Sequence, residues 1–129
     1  MTQADDSNWG VSDASAAGAG LQVLVTERAG VPVVEVRGEV DVAGGPVLAE
    51  ALERVSADAP ALVVVDLTDV PFIDSSGLSV LVVGQRRVAE GGGEVRLAVT
   101  NPHVQKVLSI TALDEAFTVV DSVDAALHD

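Results

Sequence analysis

Two adjacent serines are the residues of this sequence whose type and position could carry chemistry. Ser75 and Ser76 stand between Asp74 and Gly77, and a strongly apolar run follows them. Asp74 or Ser75 could cap a helix by accepting hydrogen bonds from the free N–H groups of its first turn. Alternatively, one hydroxyl could accept a phosphoryl group, which would add about 1.5 to 2 negative charges. The residue types alone leave both interpretations open.

A hydrolytic use of these serines is poorly supported, because such a nucleophile needs a base beside it. The two histidines, His103 and His128, fall in the first turn of a predicted helix and next to the chain end, and no G-x-S-x-G elbow is present. Asp66, Asp69 and Asp74 fit a strand end, a turn and a cap better than a metal site. We therefore expect no catalytic residue, no metal and no cofactor.

The composition limits the partners that this chain could bind. The sequence has 129 residues, of which 48% are hydrophobic and 2% aromatic, so one domain with a core of Val, Leu and Ala is expected. The net charge of -13 would repel nucleic acid and anionic lipid, so we expect neither to be a partner. The sequence has no apolar run long enough to span a bilayer and no basic, apolar leader. These features predict a cytoplasmic protein that binds a protein with a basic face.

The pattern along the chain predicts an α/β domain. Residues 1–20 are polar and rich in Gly and Ala, and we expect a disordered tail there, with the folded domain at 21–129. Two alternating segments flank the turn signal "ERAGVP" and predict a hairpin. Three further apolar strand patterns, one of them the run "ALVVVDL", alternate with amphipathic helical patterns. The order ββαβαβαβα predicts a mixed sheet of about five strands, with an N-terminal hairpin and about four helices.

The helix that follows the serines is predicted to have an unusual outer face. Ser76, Val80, Val83 and Arg87 recur at helical spacing on one side, and Ser75 falls nearer the edge of the core stripe. The core stripe itself is predicted to consist of Leu78, Leu81, Val82, Gln85, Val88 and Ala89. A solitary domain would normally place polar residues where the two valines lie. We therefore predict a docking surface headed by the Ser76 hydroxyl.

Several stretches resemble, in order and spacing, the STAS domain of bacterial anti-sigma factor antagonists. They are "GEVDVAGGPVLAEAL", "ALVVVDLTDVPFIDSSGLSVLVVGQRRV", "VRLAVTNPHVQKVLSITALDEAF" and "DSVDAAL", and together they cover roughly residues 21–128. The D-S-S-G-L stretch is the signature of this family. The resemblance implies a single STAS-like domain.

The resemblance also implies a partner switch. The unphosphorylated antagonist binds an anti-sigma factor that is also a serine kinase of the histidine-kinase-like ATPase type, and a sigma factor is released. The kinase, which binds the ATP, phosphorylates the serine directly before the glycine, here Ser76. A metal-dependent serine phosphatase reverses the switch. Asp41 matches the acidic residue beside the phosphorylation site, although it could equally cap the following helix. The expected partner-binding residues are Asp41, Asp74, Ser75, Ser76, Val80, Val83 and Arg87.

Two other functions remain open at this point. A STAS protein can serve as a scaffold subunit or beside a membrane transporter without ever being phosphorylated, and the serine before the glycine argues only weakly against that function. A small enzyme is a third possibility, which the missing base disfavours.

Overall fold

A computed structural model describes residues 20–128 of the chain. The predicted tail therefore lies outside the described residues, apart from Gly20. The strands are β1 (Gln22–Arg28), β2 (Val31–Arg37), β3 (Leu62–Asp69), β4 (Glu94–Ala98) and β5 (Thr118–Val120). The helices are α1 (Gly45–Ser56), α2 (Ser75–Glu90), α3 (Pro102–Ile110), α4 (Leu113–Ala116) and α5 (Val123–His128). The predicted α/β class with a mixed sheet is confirmed.

The five strands lie in the sheet in the order in which they occur along the chain. β1 and β2 pair antiparallel and are joined by the two-residue turn Ala29–Gly30, so the predicted hairpin is confirmed. The pairs β2–β3, β3–β4 and β4–β5 are parallel. Each parallel pair needs a crossover connection, and helices supply these connections.

The central strand β3 is buried on both faces, as its continuous apolar run predicts. Val63 and Val65 belong to the main core, which is completed by the apolar faces of α1, α2 and α3. Val64 points to the other face, where it packs with Val123 and Ala126 of α5. The sheet therefore has a thick helical layer on one face and a single short helix on the other.

Two details differ from the sequence-based prediction. The structure has a fifth helix, the four-residue α4, which follows Ala112 in the left-handed conformation (φ 62°). Within α2, Ala89 is exposed although it was predicted to belong to the core. The glycines at 77 and 84 are buried instead, so the inner face of α2 is rotated toward them. None of the described helices is long and apolar enough to cross a membrane.

Candidate functional site

Asp74 is the residue that caps α2. Its backbone is extended, and its Oδ1 accepts a hydrogen bond from the Gly77 N–H at 3.1 Å. The capping interpretation is therefore correct for Asp74, and no serine hydroxyl is needed for it. Within residues 20–128, neither the Ser75 nor the Ser76 hydroxyl forms a hydrogen bond. Both hydroxyls thus remain available at the first turn of the helix.

Asp41 caps the turn that leads into α1. Its Oδ1 accepts from the Gly44 N–H at 3.0 Å, and its carbonyl oxygen accepts from the Gly45 N–H at 2.7 Å. The side chain is half-buried. The alternative interpretation of Asp41 as a cap is thus correct for the turn, although the helix itself begins at Gly45 with Gly44 as its N-cap. This cap holds the carboxylate of Asp41 in a fixed position.

A short parallel bridge fastens these two capped segments together. Val40 pairs with Ile73 as an isolated bridge. The Val40 N–H donates to the carbonyl of Phe72 at 3.0 Å, and the Asp74 N–H donates to the carbonyl of Val40 at 3.1 Å. Asp41 and Asp74 each follow a bridged residue. The structure therefore brings the Asp41 segment and the serine segment side by side at the carboxyl edge of the parallel strands, where sites of α/β sheets lie.

The exposure of the two serines is the reverse of the predicted order. Ser75 is exposed, whereas Ser76 is half-buried. Val80, one turn after Ser76, packs against the main core, whereas Val83 on the same face of α2 is exposed. The nearest heavy atom to a methyl group built on Gly45 of α1 is Val80 Cγ2, at 3.5 Å. The predicted outer face headed by Ser76 is therefore covered by α1 at Val80 and open at Val83 and Arg87.

The covered face borders a groove between α1 and α2, with a volume of about 430 Å³. Pro46, Ala49 and Glu53 line it from α1, and Val80, Val83 and Arg87 line it from α2. Val80, Val83 and Arg87 were predicted from the sequence, whereas Ser79 and Gly84, which also line the groove from α2, were not. Those on α1 were missed, because the sequence does not show how two helices are placed against each other.

One end of the groove carries charge and the other is apolar. Arg87 Nη2 lies 3.7 Å from Glu53 Oε2, and both side chains are at least half-exposed. Val83 is 49% exposed, so its apolar surface is open to a partner. Val80 lies nearer the serines and is half-buried. The predicted docking residues Val80, Val83 and Arg87 thus lie along one wall of a groove.

An exposed aromatic pair also flanks the site and was missed by the sequence analysis. The ring of Phe72 stacks on that of His103, with centroids 5.7 Å apart and planes 13° apart. Phe72 is 38% exposed. His103 is exposed, as predicted, in the first turn of α3. In the part of the chain that the structure describes, no group of three or more His, Cys, Asp or Glu side chains could hold a metal ion.

Comparison with known proteins gives a consistent family. The model of the STAS domain matches residues 22–126. A protein named anti-sigma-F factor antagonist RsfB, of Mycobacterium tuberculosis, is 30% identical over 110 residues, which cover 83% of this chain and 87% of that protein. An anti-sigma F factor antagonist of Paenibacillus polymyxa is 28% identical over 111 residues, covering 83% and 92%. The crystal structure of an anti-sigma factor antagonist from Mycobacterium paratuberculosis superposes with a TM-score of 0.79 at 32% identity, covering 85% of this chain and 93% of that one.

Proposed function

This chain belongs to the STAS domain family, and on that premise we propose that it is an anti-sigma factor antagonist. In its unphosphorylated state it binds an anti-sigma factor that is also a serine kinase, so that a sigma factor is released. The relatives named above support this proposal at the level of the protein class. The site supports it with two hydroxyls, at Ser75 and Ser76, that no hydrogen bond within residues 20–128 engages.

The position of the serines suits a reversible charge switch. The partner kinase would transfer the γ-phosphoryl group of its own ATP to a serine oxygen, which leaves ADP. The new group carries about 1.5 to 2 negative charges, which the N-terminal end of a helix dipole tolerates. Asp74 is already satisfied by its bond to Gly77, so the cap need not rearrange. The domain should therefore keep its fold when it is phosphorylated.

Release of the partner would follow from the surroundings of the serines. A phosphoryl group at the first turn of α2 would lie beside the carboxylates of Asp41 and Asp74 and one turn from Val80. A partner packed there would have to bury that charge without compensation, which is strongly unfavourable. A metal-dependent serine phosphatase would hydrolyse the phosphoserine and restore binding.

The identity of the acceptor is a separate part of the proposal. The resemblance to the family implies Ser76, the serine directly before Gly77, and we propose that Ser76 is the acceptor. Its hydroxyl forms no hydrogen bond within residues 20–128. Ser75 is more exposed than Ser76, so it is the alternative acceptor that the test must exclude.

The test uses the full chain with each purified anti-sigma kinase of the source organism and radiolabelled ATP. Wild type, Ser75→Ala, Ser76→Ala and the double variant would be labelled in parallel, and phosphopeptides would be mapped. We expect Ser76→Ala to abolish the label and Ser75→Ala to keep it. Label on Ser75 alone would overturn the assignment of the acceptor. A wild-type chain that neither binds nor is labelled by any of these kinases would contradict the function and would favour a scaffold or transporter-associated role.

The proposal assigns no catalytic step to this chain. The kinase and the phosphatase supply the catalysts, whereas this domain supplies the hydroxyl and the docking surface. Sigma factors and ATP meet in the cytoplasm, where we infer that the protein acts.

A further inference from the structure

The groove between α1 and α2 extends the serine site along α2. Val80 lies one helical turn after Ser76, and Arg87 lies two turns after Val80. At about 1.5 Å per residue, the wall from Val80 to Arg87 is about 10 Å long. That length accommodates two turns of a second helix, whose contact residues would recur at the spacing i, i+3 or i+4, and i+7.

A close contact of the two helices forms the floor of the groove. A methyl group on Gly84 would lie 2.7 Å from Leu52 Cδ1, so the glycine allows α2 to touch α1 at this point. Above this floor, Ala49 presents only a methyl group on the α1 wall, and Val83 stands half-exposed on the α2 wall. Small residues on one side and a valine on the other leave room for the apolar side chains of a partner helix.

The charges of the groove lie at its far end. Glu50 and Glu53 line it from α1, and Arg87 faces Glu53 at 3.7 Å. Ion pairs with this exposure hold weakly, so a partner could replace one member. Glu50 is paired in the same way with Arg54, at 3.9 Å. Both ion pairs are exposed, and in a chain of net charge -13 they favour a basic partner residue at this end.

We propose that this groove receives an amphipathic helix of the anti-sigma factor, with apolar side chains on Val80, Val83 and Ala49 and a basic residue at Glu50 and Glu53. The proposal rests on the proposed function and extends it to the choice of partner. A basic residue near Arg87 would stand about 16 Å along the helix from Ser76, which is about two Debye lengths at physiological salt. It would therefore add affinity without neutralising a phosphoryl group at the near end of the groove. Phosphorylation would still weaken partner binding.

The first test fills the groove. Ala49→Leu adds a side chain at an exposed helical position that leucine tolerates. The matched control is Ala89→Leu, an exposed alanine of α2 outside the groove. Binding of the full chains to the cognate anti-sigma factor would be measured by calorimetry, after thermal melts confirm that both variants fold. We expect Ala49→Leu to weaken binding by about tenfold or more, as at a hot spot, and Ala89→Leu to bind like wild type.

The second test reverses a charge. Glu50→Lys should weaken binding and slow association most strongly at low salt, because steering by charge is screened by salt. Glu90→Lys, an exposed residue at the end of α2, is the control for the change in net charge. Equal losses of binding affinity in Glu50→Lys and Glu90→Lys would contradict the proposal that a basic partner residue binds at Glu50 and Glu53.

The outcomes separate this inference from the function on which it rests. If Ser76→Asp loses the anti-sigma factor while Ala49→Leu binds as tightly as wild type, the antagonist function stands and the groove is not its docking site. If wild type binds no anti-sigma factor, both proposals fail together. If sedimentation shows that wild type dimerises and Ala49→Leu does not, the groove belongs to a second copy of this chain and our assignment is overturned.

Discussion

Gly77 of α2 lies directly against Val40, and this contact fixes the distance between the two halves of the site. A Cβ atom at position 77 would stand 2.6 Å from Val40 Cγ1 and 2.7 Å from the carbonyl oxygen of Val40. The glycine that follows the serines is thus required by packing. It lets the first turn of α2 approach the segment that carries Asp41.

We therefore expect Gly77→Ala to lower the free energy of unfolding by about 1 to 3 kcal/mol, as overpacking does, even though alanine favours helices. Gly45→Ala is the matched control, because a methyl group there meets nothing nearer than 3.5 Å. Urea unfolding of both variants gives the measurement. Equal stability of the two variants would contradict this prediction, because it would mean that the segment of Val40 shifts to accommodate the methyl group at no cost in stability.

The two groove valines should respond differently to a charge. Val83→Asp should cost a few tenths to about 1 kcal/mol, as at exposed sites, because Val83 is 49% exposed. Val80→Asp should cost about 1 to 3 kcal/mol, because Val80 packs against the core and an aspartate there loses hydration. Leu81→Asp, at a residue that is 1% exposed, should unfold the domain. Thermal melts of the three variants would decide, and a Val83→Asp that melts like Leu81→Asp would contradict the orientation of α2.

Glu94 of β4 is held by hydrogen bonds from Arg96 of the same strand and from Thr118 of β5, and these bonds should make the stability depend on pH. Glu94 accepts hydrogen bonds from Arg96 at 3.1 Å and from Thr118 at 3.1 Å, and the bond from Arg96 is the main cause that lowers the pKa of Glu94 below its usual 4.5. A carboxyl group with a lowered pKa stabilises the fold above its unfolded pKa, and the contribution is lost as pH falls through the folded value. Between pH 5 and pH 3, wild type should therefore lose more stability than Glu94→Gln in urea titrations. Glu90→Gln, outside this contact, should follow wild type.

The hairpin turn contains a residue in an unfavourable conformation. Ala29 has φ 55° and Gly30 has φ 80°, which are the left-handed values of a two-residue hairpin turn. Asparagine tolerates this conformation better than alanine, so Ala29→Asn should raise the free energy of unfolding by about 0.5 to 1 kcal/mol. Ala89→Asn, in an exposed helical position, should lower it. Chemical denaturation of both variants measures these changes in the free energy of unfolding. Partner binding should not change for Ala29→Asn, because the turn and the serine site lie at opposite ends of β2.

The sequence predicts those features that depend on one element at a time. The buried run of β3 and the Asp74 cap follow from local patterns, and both are present. The relative exposure of Ser75 and Ser76 depends on the segments that pack against the first turn of α2, and a single helical wheel contains no information about neighbouring segments. The α1 wall of the groove was missed for the same reason. Helix α4 is only four residues long, too short for a period to be recognised.

The bridge between Val40 and Ile73 also determines when the site can exist during folding. The two residues are separated in sequence by all of α1 and β3. Closing this long loop therefore costs chain entropy before the hydrogen bonds of the bridge can form. Contacts of such long range form slowly and with the bulk of the fold. A chain that has formed only its hairpin or its separate helices presents Asp41 and the serines apart. Only the completed domain can compete for a partner, so the affinity of this site reports on successful folding.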